Sequence, residues 1–394
     1  MNRTNIDKKE VIKCFVIVLV FLLINIVFRN TIGADYSDYL VRWIDDIVEL
    51  GKVHSLEYEI GNYTPPYMYF LILGTYITTD YIFWIKLISN LFTIGIAILV
   101  YFIIKEFKKD IKFSSALMIL LVPSVLINSS IIGQCDSIYT FFVLLFIFLL
   151  LKDKKRSALF CYGVAIAFKM QAIFIAPVFL YLIVKRKIKI VHLLYIPLGF
   201  FVSMIPAMIF GKSVLEILNI LIAQTSAYSK FVKSAPNIYS VLHLNYKEIA
   251  RWLKILLSVC TVLLSIFIVF KNTKGKEYSQ KTFLEKIMLL SIIVPYFLPS
   301  MHDRYFYMAN IFIYIYFLFI DDTKSKQNQI IHFSLVSVSC ALPVVLFNFV
   351  SSIGEMAAFL AEWIGVSLIS STIMSYMVLL CFDRYLTKEK VTKK

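Results

Sequence analysis

Residues 152–189 read KDKKRSALFCYGVAIAFKMQAIFIAPVFLYLIVKRKIK. Two basic clusters, Lys152 to Arg156 and Lys185 to Lys189, enclose an apolar run over 157–184 that is interrupted at Lys169 and Gln171. Basic loops collect on the cytoplasmic side of a membrane, so both clusters belong on one side. The run must then enter and return, as two short helices meeting at the Lys169–Gln171 pair. A cation inside a short apolar run is costly and faces a polar cavity or a counter-ion. The other reading is a lysine that snorkels to the headgroups.

Outward from this hairpin the chain repeats the same grammar. Its 394 residues are 60% hydrophobic and 16% charged, well below the roughly one quarter charged that soluble domains carry. It is therefore an integral membrane protein. Apolar stretches near or above the roughly 20 residues that cross a bilayer fall at 11–28, 83–104, 113–131, 137–151, 190–210, 252–270, 285–300, 305–320, 330–350 and 358–382. With the hairpin they predict an all-α polytopic protein of about twelve spans. Cytoplasmic termini and gaps at 105–112, 152–156, 185–189, 271–286 and 321–329 then collect most of the 40 Lys and Arg residues. The net charge of +15 reflects this bias, with some attraction to anionic lipid. Dispersal of the cations over seven short segments argues against nucleic-acid binding. Cys14, Cys161, Cys260, Cys340 and Cys381 lie in apolar spans, and Cys135 alone sits in an outer motif, so no disulfide framework or CxxC metal site is available. The first apolar run is long for a signal-peptide core and reads as an uncleaved helix. Residues 1–394 form one transmembrane domain, with large outer loops at 29–82 and 211–250.

The outer gaps carry acids, aromatics and amides: GADYSDY (33–39), GNYTPPY (61–67), GQCDS (133–137), FKMQ (168–171) and MHDRY (301–305). From Tyr36 the residues Tyr39, Leu40, Trp43, Ile44, Ile47 and Leu50 recur at helical spacing, predicting an amphipathic helix at the membrane interface. Asp35 stands just before it and Asp38 one turn in, where a carboxylate either caps the helix or does chemistry. In 62–67 the two prolines make a rigid turn. Asp136 follows a helix-closing glycine and could cap the next helix. His302-Asp303-Arg304 could be a salt-bridged turn. Convergence of all five motifs on one membrane face favours a shared chemical purpose.

Asp35-Tyr36 followed by Trp43, then GNYTPPYMYFL (61–71), NSSIIGQCDSIY (128–139), AFKMQAIFIAPVFL (167–180), SAPNIY (234–239) and LPSMHDRYFY (298–307) resemble the bacterial PIG-V-like proteins. These are relatives of the GPI-anchor second mannosyltransferase, in the GT-C class of membrane glycosyltransferases. The resemblance covers about 35–307; after about 320 only hydrophobicity remains. It implies a GT-C-like fold that transfers a hexose, mannose by family label, from a polyprenyl-phosphate sugar to an extracytoplasmic glycan or lipid acceptor, with inversion. By analogy the acid of the first outer loop, here Asp35, is the catalytic base, and Asp38 is a supporting acid.

The residues suit that chemistry. A carboxylate must take the proton of the acceptor hydroxyl, a role for Asp35. Cations must stabilise the departing phosphate, a role for Arg304, Lys169 and His302. Gln134, Asp136 and Gln171 would hold sugar hydroxyls, and Tyr63, Tyr67 and Tyr305 would offer stacking surface. A lipid-linked donor needs no nucleotide site, and no cofactor is required. A divalent cation would find oxygen ligands in Asp35, Asp38 and Asp136, although no spacing demands one. The expected location is the plasma membrane with an extracytoplasmic site. The alternative is a transporter or flippase for a sugar or lipid-linked sugar, whose polar site would lie near the bilayer midplane in paired interrupted helices. Only the break at Lys169 fits that pattern.

Overall fold

In the computed structural model, residues 7–226, 228–271, 277–319, 323–350 and 354–387 are described. The extreme ends of the chain, and parts of the basic gaps at 271–286 and 321–329, lie outside these residues, and with them the expected cytoplasmic placement of both termini. The helices in chain order are α1 (Lys8–Val27), α2 (Val41–Glu49), α3 (Pro65–Ile77), α4 (Tyr81–Lys105), α5 (Phe113–Leu117), α6 (Pro123–Leu126), α7 (Asp136–Leu151), α8 (Lys155–Phe168), α9 (Val178–Val184), α10 (Tyr195–Ile209) and α11 (Val214–Ser226). There follow α12 (Ile238–Val241), α13 (Arg251–Phe270), α14 (Gln280–Phe297), α15 (Tyr307–Phe319), α16 (Thr323–Val345), α17 (Glu355–Leu360) and α18 (Ser371–Thr387). Wider π-helical segments occupy 36–40, 127–131, 346–350 and 361–370. Among the described residues the structure is helical apart from one parallel pair of two-residue strands, β1 (Val232–Lys233) with β2 (Met301–His302).

Each predicted apolar run contains helix, but long spans are fewer than runs. Five helical segments among the described residues are long and apolar enough to cross a membrane: Lys8–Val27, Tyr81–Lys105, Ile190–Ile209, Arg251–Phe270 and Met356–Asp383. A sixth arises if Phe113–Leu121 and Pro123–Ile131, bent by 61° at their junction, count as one span. Pro123 accounts for the bend, since its ring removes a backbone donor and clashes with the preceding turn. The remaining runs fold as shorter helices, such as Asp136–Leu151, so length and composition support five or six spans among the described residues, and the expected twelve are not confirmed. The hairpin over 157–184 is broken as expected. Helix α8 stops at Lys169, which is extended (φ −159°, ψ 130°), and a 3₁₀ stretch over Met170–Ile175 leads into α9. Within the outer loop expected at 211–250, Val214–Ser226 is instead a helix, a continuation of apolar periodicity that the reading of this stretch as loop missed.

The chain divides into two compact units: Met1–Met170 with Tyr195–Leu221, and Gln171–Leu194 with Ile222–Lys394. In the first, the basic segments share an end. Asp7 pairs with Lys112 at 3.2 Å, and Lys152 with Glu106 at 2.7 Å. The Glu10 carboxylate accepts from the Ser114 backbone N–H at 2.7 Å and its hydroxyl at 2.9 Å, which satisfies the start of α5. The other end of α1 is held by Lys86 of α4, whose ammonium donates to the carbonyls of Phe28 (2.6 Å) and Arg29 (3.1 Å). A cation at a helix C-terminus satisfies free carbonyls and complements the dipole. Arg29 also pairs with Asp80 at 2.7 Å and holds that carboxyl below its ordinary range.

The amphipathic segment forms, but its apolar face meets protein. Leu40, Trp43, Ile44 and Ile47 are buried against Tyr67, Met68, Leu71 and Ile85, so its acids line the outside of the unit. Helices α8 and α10 approach closely at two glycines. A Cβ on Gly163 would stand 2.0 Å from the Ile196 carbonyl oxygen, and one on Gly199 2.1 Å from that of Phe160. Small residues allow membrane helices to close backbone to backbone.

In the second unit, α13 and α14 pack antiparallel, with a core of Ile268, Leu289 and Ile293. The Lys286 ammonium donates to the carbonyls of Ile268 (3.2 Å) and Lys271 (3.0 Å) at the end of α13. Asn310 of α15 accepts from Ser337 of α16 at 3.1 Å, and Ser339 donates to the Ser370 carbonyl at 2.7 Å. Hydroxyl and amide contacts of this kind join apolar helices where hydrophobicity alone gives no specificity.

Candidate functional site

The motifs assemble into two polar centres, one in each unit. The first is built on the turn 127–136. After the π-helical segment Ile127–Ile131, Gly133 turns with φ +67°, a conformation that glycine adopts without cost, and a Cβ there would meet the Lys86 side chain at 3.2 Å. The turn aims Gln134 and Asp136 to different partners. The Gln134 side-chain amide donates to Asp35 Oδ2 at 3.1 Å, while Ser89 Oγ bonds the Gln134 carbonyl.

Asp35 does not cap the helix that follows. It has helical backbone angles and no side-chain capping bond, and its carboxylate accepts from Gln134. Asp38, expected as a supporting acid, is exposed and accepts from Ser37 Oγ at 3.3 Å.

Asp136 and Lys169 form a buried ion pair. The Lys169 ammonium is 2.5 Å from Asp136 Oδ1, with 6% and 0% of the two side chains exposed. Asn128 donates to the other oxygen, Oδ2, at 3.0 Å. Asp136 is the first residue of α7, whose N-cap is Cys135, and Lys169 has a counter-ion, the first of the alternatives open from sequence. The ammonium also lies over the rings of Tyr63 (5.8 Å) and Tyr139 (6.0 Å). Tyr63 contacts Tyr67 at 5.4 Å and Trp43 at 5.3 Å between ring centres. The Thr64 hydroxyl donates to the Ala167 carbonyl, fixing the GNYTPPY turn beside Lys169. Asp35, Gln134, Asp136, Lys169, Tyr63 and Tyr67 are thus brought into one neighbourhood. Asn128 belongs with them although it was not singled out; its place in NSSIIGQCDS was the available signal. A seam of Asn25, Asn90 and Ser130 beneath this turn, with Asn90 donating to Asn25 at 2.6 Å and Ser130 to Asn90 at 2.7 Å, was also passed over.

The second centre is built on β1 and β2. Pairing of Val232 with Met301 and Lys233 with His302 sets the backbone of the MHDRY motif. His302, Asp303 and Arg304 are 3%, 2% and 8% exposed. The His302 ring faces Tyr228 at 4.6 Å and Tyr305 at 5.2 Å. Arg304 Nη1 is 3.6 Å from Asp303 Oδ1, and its guanidinium lies 6.0 Å from the Tyr305 ring centre. Gln171 falls in this unit, and its Oε1 is buried without a hydrogen-bond partner among the described residues. Asn237 caps α12, accepting from Tyr239 and Ser240, which explains the asparagine of SAPNIY. Sequence reading missed Glu362. Its Oε2 accepts from Ser234 at 2.8 Å; a single acid inside the apolar run 358–382 was the signal.

Among the described residues, no group of three or more His, Cys, Asp or Glu is placed to hold a metal ion.

No curated protein matches the chain. The EpsG family model matches residues 12–360, and this family, not the PIG-V-like proteins, is the one found. It is a membrane glycosyltransferase-like family of the O-antigen ligase or polymerase type. The earlier resemblance therefore stands only at the level of a membrane glycosyltransferase-like family. The match spans nearly the whole chain, including most of the region beyond 320 that showed only hydrophobicity, and this protein belongs to the EpsG family.

Proposed function

We propose that this chain is a membrane glycosyltransferase that extends or polymerises an extracytoplasmic glycan, taking its sugar from a polyprenyl-phosphate-linked donor. The observation that carries the reading is the family match over 12–360. The two buried polar centres lend it support, since buried charges are retained where they do chemistry or hold a site together. Roles are assigned residue by residue. Asp35 takes the proton from the acceptor hydroxyl, with its free rotation limited by Gln134. Arg304, with His302, neutralises the donor phosphate as the glycosyl bond breaks; a planar guanidinium suits phosphate oxygens. Lys169 and Asp136 hold the turn that presents Gln134. Tyr63, Tyr67 and Tyr305 give sugar rings a surface, and Gln171 an amide. The plasma membrane, with the polar motifs outside and the basic segments inside, is the location that the charge distribution supports.

The test is a comparison of lipid-linked and cell-surface glycans with and without the protein. Loss of the polymer or of its extended form, with accumulation of a lipid-linked unit, is expected. An unchanged glycan profile, accompanied by loss of sugar or lipid-linked sugar movement across the membrane, would overturn the reading in favour of transport.

A further inference from the structure

We propose that Glu362 binds a hydroxyl group of the donor's sugar, in a subsite beside Arg304 that Ser234 and Tyr246 hold in shape. The inference rests on the transferase reading above and deepens it.

Glu362 lies in the π-helical segment Ala361–Ser370. Its two oxygens differ. Oε2 accepts from Ser234 Oγ at 2.8 Å, and Ser234 Oγ is 2.6 Å from the Tyr246 hydroxyl. A serine has one proton to give; since Ser234 gives its own to Glu362, Tyr246 must donate to Ser234. The direction of the relay is thereby set as Tyr246 to Ser234 to Glu362. Oε1 is buried and has no hydrogen-bond partner among the described residues. Buried polar atoms are almost always satisfied, so an open carboxylate oxygen at the end of an ordered relay is suited to a donor that arrives with a ligand.

The place of the relay indicates what the ligand is. Ser234 pairs through its backbone with His302, and Asp303, the ion-pair partner of Arg304, acts electrostatically on both Glu362 and Tyr246. Asp303 thus links the Arg304 cation to the Glu362 acceptor. A glycosyl phosphate presents a phosphate and several hydroxyls in the same proximity. Tyr246 is 38% exposed, which brings the relay to the surface.

Backbone geometry points to the same place. Ser234, His243, Tyr246 and Ser300 all have positive φ, between +54° and +64°. Side chains other than glycine rarely adopt this region, and such strain persists where surrounding structure holds it for function. Two of the four are the relay residues themselves, and a third, Ser300, immediately precedes β2.

The experiment uses the full chain in lipid nanodiscs and two kinds of probe: farnesyl diphosphate, and farnesyl diphosphate bearing glucose, galactose or mannose. The wild-type protein is expected to bind at least one sugar-bearing lipid tenfold or more tighter than farnesyl diphosphate. Glu362→Gln, which keeps size and the contact with Ser234, is expected to bring that sugar-dependent gain below threefold while leaving farnesyl diphosphate affinity unchanged. Tyr246→Phe should lower the gain partially, since it leaves the carboxylate but frees its support. A Glu362→Gln protein that folds and keeps the full gain overturns the inference and leaves the transferase reading intact. A wild-type protein with no sugar-dependent gain does the same. If the wild-type protein binds neither kind of lipid, the donor reading falls and the inference with it. Should Glu362→Gln fail to fold, Ser234→Ala and Tyr246→Phe carry the same comparison, and an undiminished gain in both overturns the proposal.

Discussion

The ammonium of Lys169 stands 2.5 Å from the carboxylate of Asp136, and neither side chain has more than 6% of its surface exposed. Removal of one member of a buried pair strands the other charge, at a cost of about 3–5 kcal/mol. Lys169→Met and Asp136→Asn should therefore each lower the unfolding temperature or the folded yield sharply. The double variant should recover much of the loss, because neither charge is left alone. Thermal unfolding of purified proteins, followed by size-exclusion chromatography, measures this. Equal and additive losses in the two single variants and the double would show that the pair does not couple.

Asp35 offers the opposite expectation, since its carboxylate caps no helix and meets Gln134 at 3.1 Å. Asp35→Asn keeps the shape and should leave the unfolding temperature nearly unchanged. Transfer should fall by roughly 10² to 10⁴, the range for loss of a general base. Asp38→Asn, at an exposed side chain, should retain most activity. If Asp38→Asn is inactive and Asp35→Asn is active, the base is Asp38.

Arg304 tests phosphate recognition. Its guanidinium is buried and 3.6 Å from Asp303, longer than a direct charge-assisted hydrogen bond. Arg304→Lys keeps the charge but loses the planar fork, so turnover should drop tenfold or more despite conserved charge. Arg304→Ala should abolish measurable binding of farnesyl diphosphate. Unchanged affinity in a monodisperse Arg304→Ala protein would sink the assignment and leave Arg304 as a structural partner of Asp303.

The contact between α8 and α10 leaves no room for a side chain. A Cβ on Gly163 would overlap the Ile196 carbonyl oxygen, so Gly163→Val should reduce the folded yield severely, with no change at any polar residue. Leu198→Ala, on an exposed position of α10, serves as the comparison and should be tolerated. Fluorescence-detected size-exclusion chromatography of both variants decides the matter.

Sidedness is testable in intact cells with an impermeant thiol reagent and single cysteines in a cysteine-free background. Glu59 and Lys154 are both exposed in the first unit. Glu59→Cys should label from outside and Lys154→Cys only after permeabilisation. The reverse pattern inverts the orientation.

Hydropathy and charge determined much of this protein without any structure: a helical membrane protein, a chain break at Lys169, and basic segments of the first unit that share an end. These follow from local physics, because each backbone must satisfy its own hydrogen bonds in hydrocarbon and cations favour one side. Tertiary structure decided the partners. Asp35 meets Gln134 across 99 residues, Asp136 meets Lys169 across 33, and Ser234 meets Glu362 across 128. Sequence left Asp35 and Asp136 as possible caps, and tertiary contacts gave them other bonds. The long apolar run 358–382 showed one acid and nothing of its relay. The count of apolar runs is not confirmed as a count of spans, because proline bends and short helices alter how far a run extends while its hydrophobicity stays the same. Such pairings depend on which helix faces which, and a chain this uniformly apolar carries little record of that choice in any single stretch.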